Sequence, residues 1–172
     1  RGWVGAFRLS DGSPVWRFNT VPKPGEPGFE TWQNPESIPM GGGAVWTAFS
    51  LDPKTGDLHV PITNPSPDLP VHLRKGDNLY TNLMVCHDVR TGKRRWHRSL
   101  VPNDSHDWDL THASPLITVN VNGAPRRLVV TAGKDGMLRS LDRDTHEVLY
   151  ETPVTTIENA DAPVTTTPSR VC

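Results

Sequence analysis

Little in this 172-residue sequence belongs to the patterns that most quickly assign a function. Its two cysteines, Cys86 and Cys172, make neither a disulfide framework nor a metal spacing, and there is no Cys-x-x-Cys-His to attach a c-type haem. They leave the redox compartment open. Gly-x-Gly-x-x-Gly and the phosphate loop are both missing, which argues against nicotinamide and nucleotide cofactors. Charge of one sign is not in excess either: 18 basic against 19 acidic residues give a formal net charge of -1, no electrostatic reason to expect nucleic acid or an anionic membrane as partner. No apolar run approaches the roughly 20 residues of a membrane-spanning helix. The chain opens on Arg1 without a charged-then-apolar leader and stops on Cys172 after a polar Thr-rich run, as expected of a piece of a longer chain. His59, His72, His87, His97, His106, His112 and His146 show no helical pair and no ligand spacing, and are expected to be structural or exposed.

What is present is 17 prolines and 14 glycines in a chain of 35% apolar content, a composition of many short elements joined by turns. The length suits one domain, residues 1–172, with a real core. Alternation predicts strands over 3–9, 15–19, 44–51, 58–62, 82–88, 95–100, 116–121, 127–131, 137–141 and 148–152. Between them stand turn sequences such as Asp11-Gly12, Thr91-Gly92 and Asn122-Gly123, while 21–43 reads as a long excursion with no period. No window carries a helical stripe, so the class is all-β.

One spacing recurs. Ala6, Arg8, Asp11, Gly12 and Trp16 are set apart as are Cys86, Asp88, Thr91, Gly92 and Trp96, and again Ser140, Asp142, Thr145, His146 and Tyr150. A small residue, a polar residue, a turn pair and an aromatic, repeated around a turn, mark a repeat fold whose units bury their faces against their neighbours. A β-propeller fits best. The template, kept best from Cys86 to Trp96, resembles the tryptophan-docking motif of quinoproteins, the dehydrogenases that carry pyrroloquinoline quinone (PQQ). The third copy departs from it at His146 and Tyr150. The resemblance implies an eight-bladed propeller, of which this chain supplies two to three blades as a partial propeller.

Four groups of residues then acquire expected roles. Trp46 follows Gly41-Gly42-Gly43, and the resemblance implies that its indole lies flat on the quinone; the bland alternative is a core tryptophan in a strand. Asn64, in Thr63-Asn64-Pro65-Ser66-Pro67, is either an ordinary turn residue or, as the resemblance implies, a Ca2+ ligand through its amide oxygen, with a further glutamate ligand falling just before Arg1. The cluster Asp104, Asp107 and Asp109 is either a solvated acidic loop or, as the resemblance to the family's Pro-His-Asp-x-Trp-Asp run implies, holds the general base, which also approaches the metal. An ungapped register from Pro102 makes that base Asp107, and alignment on Trp108-Asp109 makes it Asp109; the ungapped register is preferred. Lys134, in a tight Gly-Lys-Asp-Gly turn, is a surface lysine or a cofactor-binding cation that steadies the reduced ring.

The activity implied is oxidation of a small-molecule alcohol or sugar hydroxyl in the periplasm, with electrons leaving to an acceptor such as a cytochrome c or ubiquinone. An aspartate with an ordinary pKa of about 3.9 is a poor base, so proton removal must be coupled to hydride departure. The alternative is a propeller that keeps the repeat without the chemistry, as in related outer-membrane assembly scaffolds. The fragment alone is expected to be inactive.

Overall fold

In a computed structural model, residues 1–157 are described; Cys172 lies outside them. Ten strands follow in chain order: β1 Trp3–Phe7, β2 Pro14–Asn19, β3 Ser50–Asp52, β4 Asp57–Ile62, β5 Leu83–Asp88, β6 Arg94–Ser99, β7 Leu116–Val121, β8 Ala124–Ala132, β9 Met137–Asp142 and β10 Val148–Pro153. They form an antiparallel β1-β2 pair and two four-stranded antiparallel sheets, β3-β4-β5-β6 and β7-β8-β9-β10, each in sequence order. Four-stranded meanders stacked face to face along the chain make a partial β-propeller.

The stacking is visible in the alternation of side chains. On β4 and β5, Leu58, Val60, Ile62, Leu83 and Val85 join Val4 in one apolar cluster, with Trp16 and Phe18 of β2 packed against it. Met84, one step out of phase, joins Val129 and Leu141 in a second cluster on the other side. The middle sheet is thus buried on both faces, which a period of two permits when both faces are apolar.

Two expected strands change. Of the predicted 44–51, only Ser50 and Leu51 pair in a ladder, at the start of β3, because Ala44 spends its carbonyl on the Thr63 N–H and hydroxyl at 3.1 and 2.9 Å. The predicted 127–131 extends to Ala124–Ala132, since Asn122 and Gly123 both take positive φ and let the hairpin continue to a Val121–Ala124 pair. The excursion over 21–43 is ordered by short 3-10 turns at Phe29–Thr31 and Pro35–Met40 around a cluster of Val21, Trp32 and Ile38. Trp32 Nε1 donates to Leu79 O at 2.6 Å.

The threefold spacing is a joint. In the ladders Ala6 faces Trp16, Cys86 faces Trp96 and Ser140 faces Tyr150, so the small residue leaves room beside the aromatic. Gly12, Gly92 and His146 share the left-handed backbone, at φ 71, 71 and 64°. Trp16 donates its indole N–H to Val89 O at 2.9 Å and lies so close over Gly92 that a Cβ there would sit 2.5 Å from the ring. Trp96 repeats the seat one sheet later, stacked on the His146 ring at 4.9 Å and 22°.

Candidate functional site

Because the strands alternate direction, connections emerge at alternate ends of the sheets. One end carries the aromatic joints. The other carries the long excursion after β2, the β4–β5 loop, the β6–β7 loop and the tight β8–β9 turn, and these meet.

The glycine run is threaded between backbones. Gly2 N donates to Gly42 O at 2.9 Å, Gly43 N to Asn64 O at 2.8 Å, and Gly42 bridges Pro65. A Cβ on Gly42 would lie 2.3 Å from Ser66 N, so only glycine allows this approach. The segment leading to Trp46 is thereby fixed to the Asn64 loop. Trp46 itself is 57% exposed, unlike Trp32 at 2%, so it is not a core tryptophan.

Asn64 is buried. Its amide nitrogen Nδ2 donates to Asp68 Oδ1 at 2.9 Å, and its backbone N–H donates to Asp109 Oδ1 at 3.0 Å. Asp109 is also nearly buried, while Asp107, with φ 61°, is about half exposed. Lys134 Nζ reaches both carboxylates, 2.8 Å to Asp107 Oδ2 and 2.7 Å to Asp109 Oδ2, and its backbone N–H donates to Asp109 O at 2.9 Å. Those two hydrogen-bonded carboxylates, Asp107 first, raise the Lys134 pKa above the usual lysine range. Asp68 is raised as well, by burial and then by the charge of Asp107, against the hydrogen bond from Asn64. The structure therefore brings Asn64, Asp107, Asp109 and Lys134 together, while Trp46 lies three residues beyond Gly43, whose backbone N–H donates to Asn64 O.

Asp104 does something else. Its carboxylate, buried, accepts the backbone N–H of His106 at 2.8 Å and of Trp108 at 2.9 Å. It shapes the loop that presents Asp107 and Asp109. Of the histidines, His59 and His87 are fully buried, and burial pushes the His59 imidazole down to about 4.

Two residues of this region carry no signal in the sequence. Asp68 is one more acidic residue in a polar loop. Arg74, in the same loop, is buried, and its guanidinium donates to Pro67 O and Asp68 O, each at 2.7 Å, and to Asp104 O. Only the fold shows what either touches.

The donor set suits a hard cation. Asp68, Asp107 and Asp109 outnumber the single ammonium of Lys134, and Asn64 turns its nitrogen to Asp68, leaving its amide oxygen as a neutral donor. Among the described residues no three acidic, His or Cys side chains converge tightly enough to hold an ion by themselves.

Over residues 1–170 the chain matches the family described as PQQ glucose/ethanol/alcohol dehydrogenase, beta-propeller domain. It is 35% identical over 158 residues to quinohemoprotein alcohol dehydrogenase ADH IIB of Pseudomonas putida, which covers 83% of this chain and 22% of that one. The solved structure of quinohemoprotein alcohol dehydrogenase ADHIIG from Pseudomonas putida HK5 superposes with a TM-score of 0.83 at 30% identity, over 90% of this chain and 24% of that one. A europium-containing methanol dehydrogenase does so with a TM-score of 0.79 at 27% identity, over 90% and 30%. The chain thus spans about a quarter of the length of such proteins.

Proposed function

Since the chain belongs to the PQQ glucose/ethanol/alcohol dehydrogenase β-propeller family, we propose that it forms one side of the active site of a PQQ-dependent dehydrogenase that oxidises an alcohol or sugar hydroxyl. The observation that carries this reading is a single ammonium, that of Lys134, shared by two carboxylates of which one is tied to the backbone of Asn64. When bound, the quinone supplies the hydride acceptor and Ca2+, or another hard cation, a Lewis acid.

The chain's own residues do the rest. The exposed indole of Trp46 offers a flat apolar face on which a planar ring stacks. Asn64 Oδ1 and Asp107 are cation donors. Lys134 uses two of its three N–H groups on Asp107 and Asp109, and the third is available to a cofactor oxygen. Asp109 takes the hydroxyl proton. The ungapped sequence register favours Asp107 for that step, but Asp109 is the residue held at both oxygens, by Asn64 N–H and by Lys134, and fixed placement outranks pKa in choosing a base. A small alcohol or sugar as substrate, a cytochrome c or ubiquinone as electron acceptor, and a periplasmic location complete the reading.

The test is turnover by the full-length protein that contains these residues, with an artificial electron acceptor. Reduction of that acceptor should require quinone and Ca2+ together. Asp109→Asn should lower kcat by about 10²–10⁴-fold, whereas Asp107→Asn should mainly raise the Ca2+ concentration needed. Equal, small effects of both substitutions would remove the assigned base, and a wild-type protein that binds no quinone would leave a scaffold without chemistry.

A further inference from the structure

Arg74 is buried, and among the described residues it has no carboxylate within salt-bridge reach and its guanidinium hydrogen bonds all go to neutral oxygens. Nε donates to Pro67 O at 2.7 Å, Nη2 to Asp68 O at 2.7 Å and to Asp104 O, and Nη1 weakly to Asn78 Oδ1 at 3.4 Å. A buried guanidinium is costly to desolvate, and here the cost is offset by main-chain dipoles rather than by an opposite charge in contact; Asp104 and Asp68 favour it only through space. The three carbonyls belong to two different loops. Pro67 and Asp68 end the turn that begins at Asn64. Asp104 begins the turn that ends at Asp109, and its carboxylate caps the N–H groups of His106 and Trp108.

We propose that Arg74 is a positioning residue: a rigid strut that sets the placement of Asn64 relative to Asp109 by clamping the two loops at their backbones. Planarity is what the task needs, because the fork fixes the directions of its N–H groups at once, whereas a lysine ammonium is a point charge on a flexible stem. The strut completes a short circuit. Asn64 N–H holds the Asp109 side chain at one point, and Arg74 holds the backbones behind both residues at another, so neither loop shifts without the other. This inference rests on the dehydrogenase reading for its consequence, the geometry of the cation and base, but not for the clamp itself.

Two measurements on the full-length protein separate the clamp from its consequence, with Arg74→Lys compared against Arg143→Lys. Arg143 is also buried, at 9% exposure against 1% for Arg74, but pairs with Asp52 at the opposite end of the sheets. In native-state hydrogen exchange, Arg74→Lys should speed exchange at the amides of Asn64, His106 and Trp108 by about tenfold or more, with β4 and β5 unchanged and Arg143→Lys silent at those amides. Calcium titration of the quinone-free protein should show Arg74→Lys binding about tenfold or more weaker than Arg143→Lys, the range that outer-shell partners of metal ligands command. Uniformly faster exchange, or none, overturns the strut; so does equal calcium affinity in the two variants of a protein whose wild type binds calcium. A wild-type protein that binds no calcium counts against the dehydrogenase reading alone, and the exchange pattern still decides Arg74.

Discussion

At the end of the sheets where β1 turns into β2, β5 into β6 and β9 into β10, one arrangement is used three times; at the opposite end no two connections among the described residues match in length or contacts. The turns Arg8–Ser13, Asp88–Lys93 and Asp142–Glu147 repeat the same pair of backbone hydrogen bonds at 2.8–2.9 Å. Across the molecule, the loops after β4 and β6 and the turn after β8 instead cross-link one another through Asn64, Arg74, Asp109 and Lys134. Each sheet must seat on the next by the same joint, so that end is held to one pattern. The other end carries no such duty and is free to hold a site.

The largest blow to the repeated end should come from Gly92→Ala. A methyl there is both strained at φ 71° and driven into the Trp16 ring, for a loss of about 3 kcal/mol in urea unfolding of the full-length protein. A smaller effect comes from pH. His59 lies between the joint's Trp96, 5.6 Å away ring to ring, and the charge of Arg143, and burial and then that charge lower its pKa to about 4. The unfolded chain takes up this proton near 6.5 and the folded one only near 4, so stability is full above about 6.5 and falls as the pH drops between these values. From pH 7 to pH 5 the loss should be about 2 kcal/mol, and His59→Leu should flatten that slope in thermal melts. The smallest change is expected from His146→Gly, which relieves the left-handed strain and forfeits the stack on Trp96, two terms of about 1 kcal/mol that nearly cancel in the same urea experiment. A loss from His146→Gly as large as that from Gly92→Ala would mean that the two joints are not alike.

The same contrast explains what could be read from residues alone. The hairpin turns were legible because Asp-x-x-Thr-Gly encodes its own geometry: Asp88 Oδ1 accepts the N–H groups of both Arg90 and Thr91 at 3.0 Å. His146 looked like a break in the repeat, yet it adopts the conformation of the glycine it replaces. Asn64, Asp107, Asp109 and Lys134 could be singled out by type and setting, and the fold brings them together. The end of the 44–51 strand and the reach of Arg74 to Asp104 could not, because each depends on a partner 19 or 30 residues away that nothing local announces. Asp107 and Asp109 are likewise not distinguished by residue type: Lys134 pairs with both, and Asn64 N–H reaches Asp109.

The two apolar clusters on either side of the middle sheet remain separate, one gathered around Val60 and Val85 and the other around Met84 and Val129. Force applied along the chain would therefore meet no common interior. It would peel one blade from its neighbour, then the next, each rupture leaving the remaining interface intact, in the manner of a stack of plates rather than a single sphere.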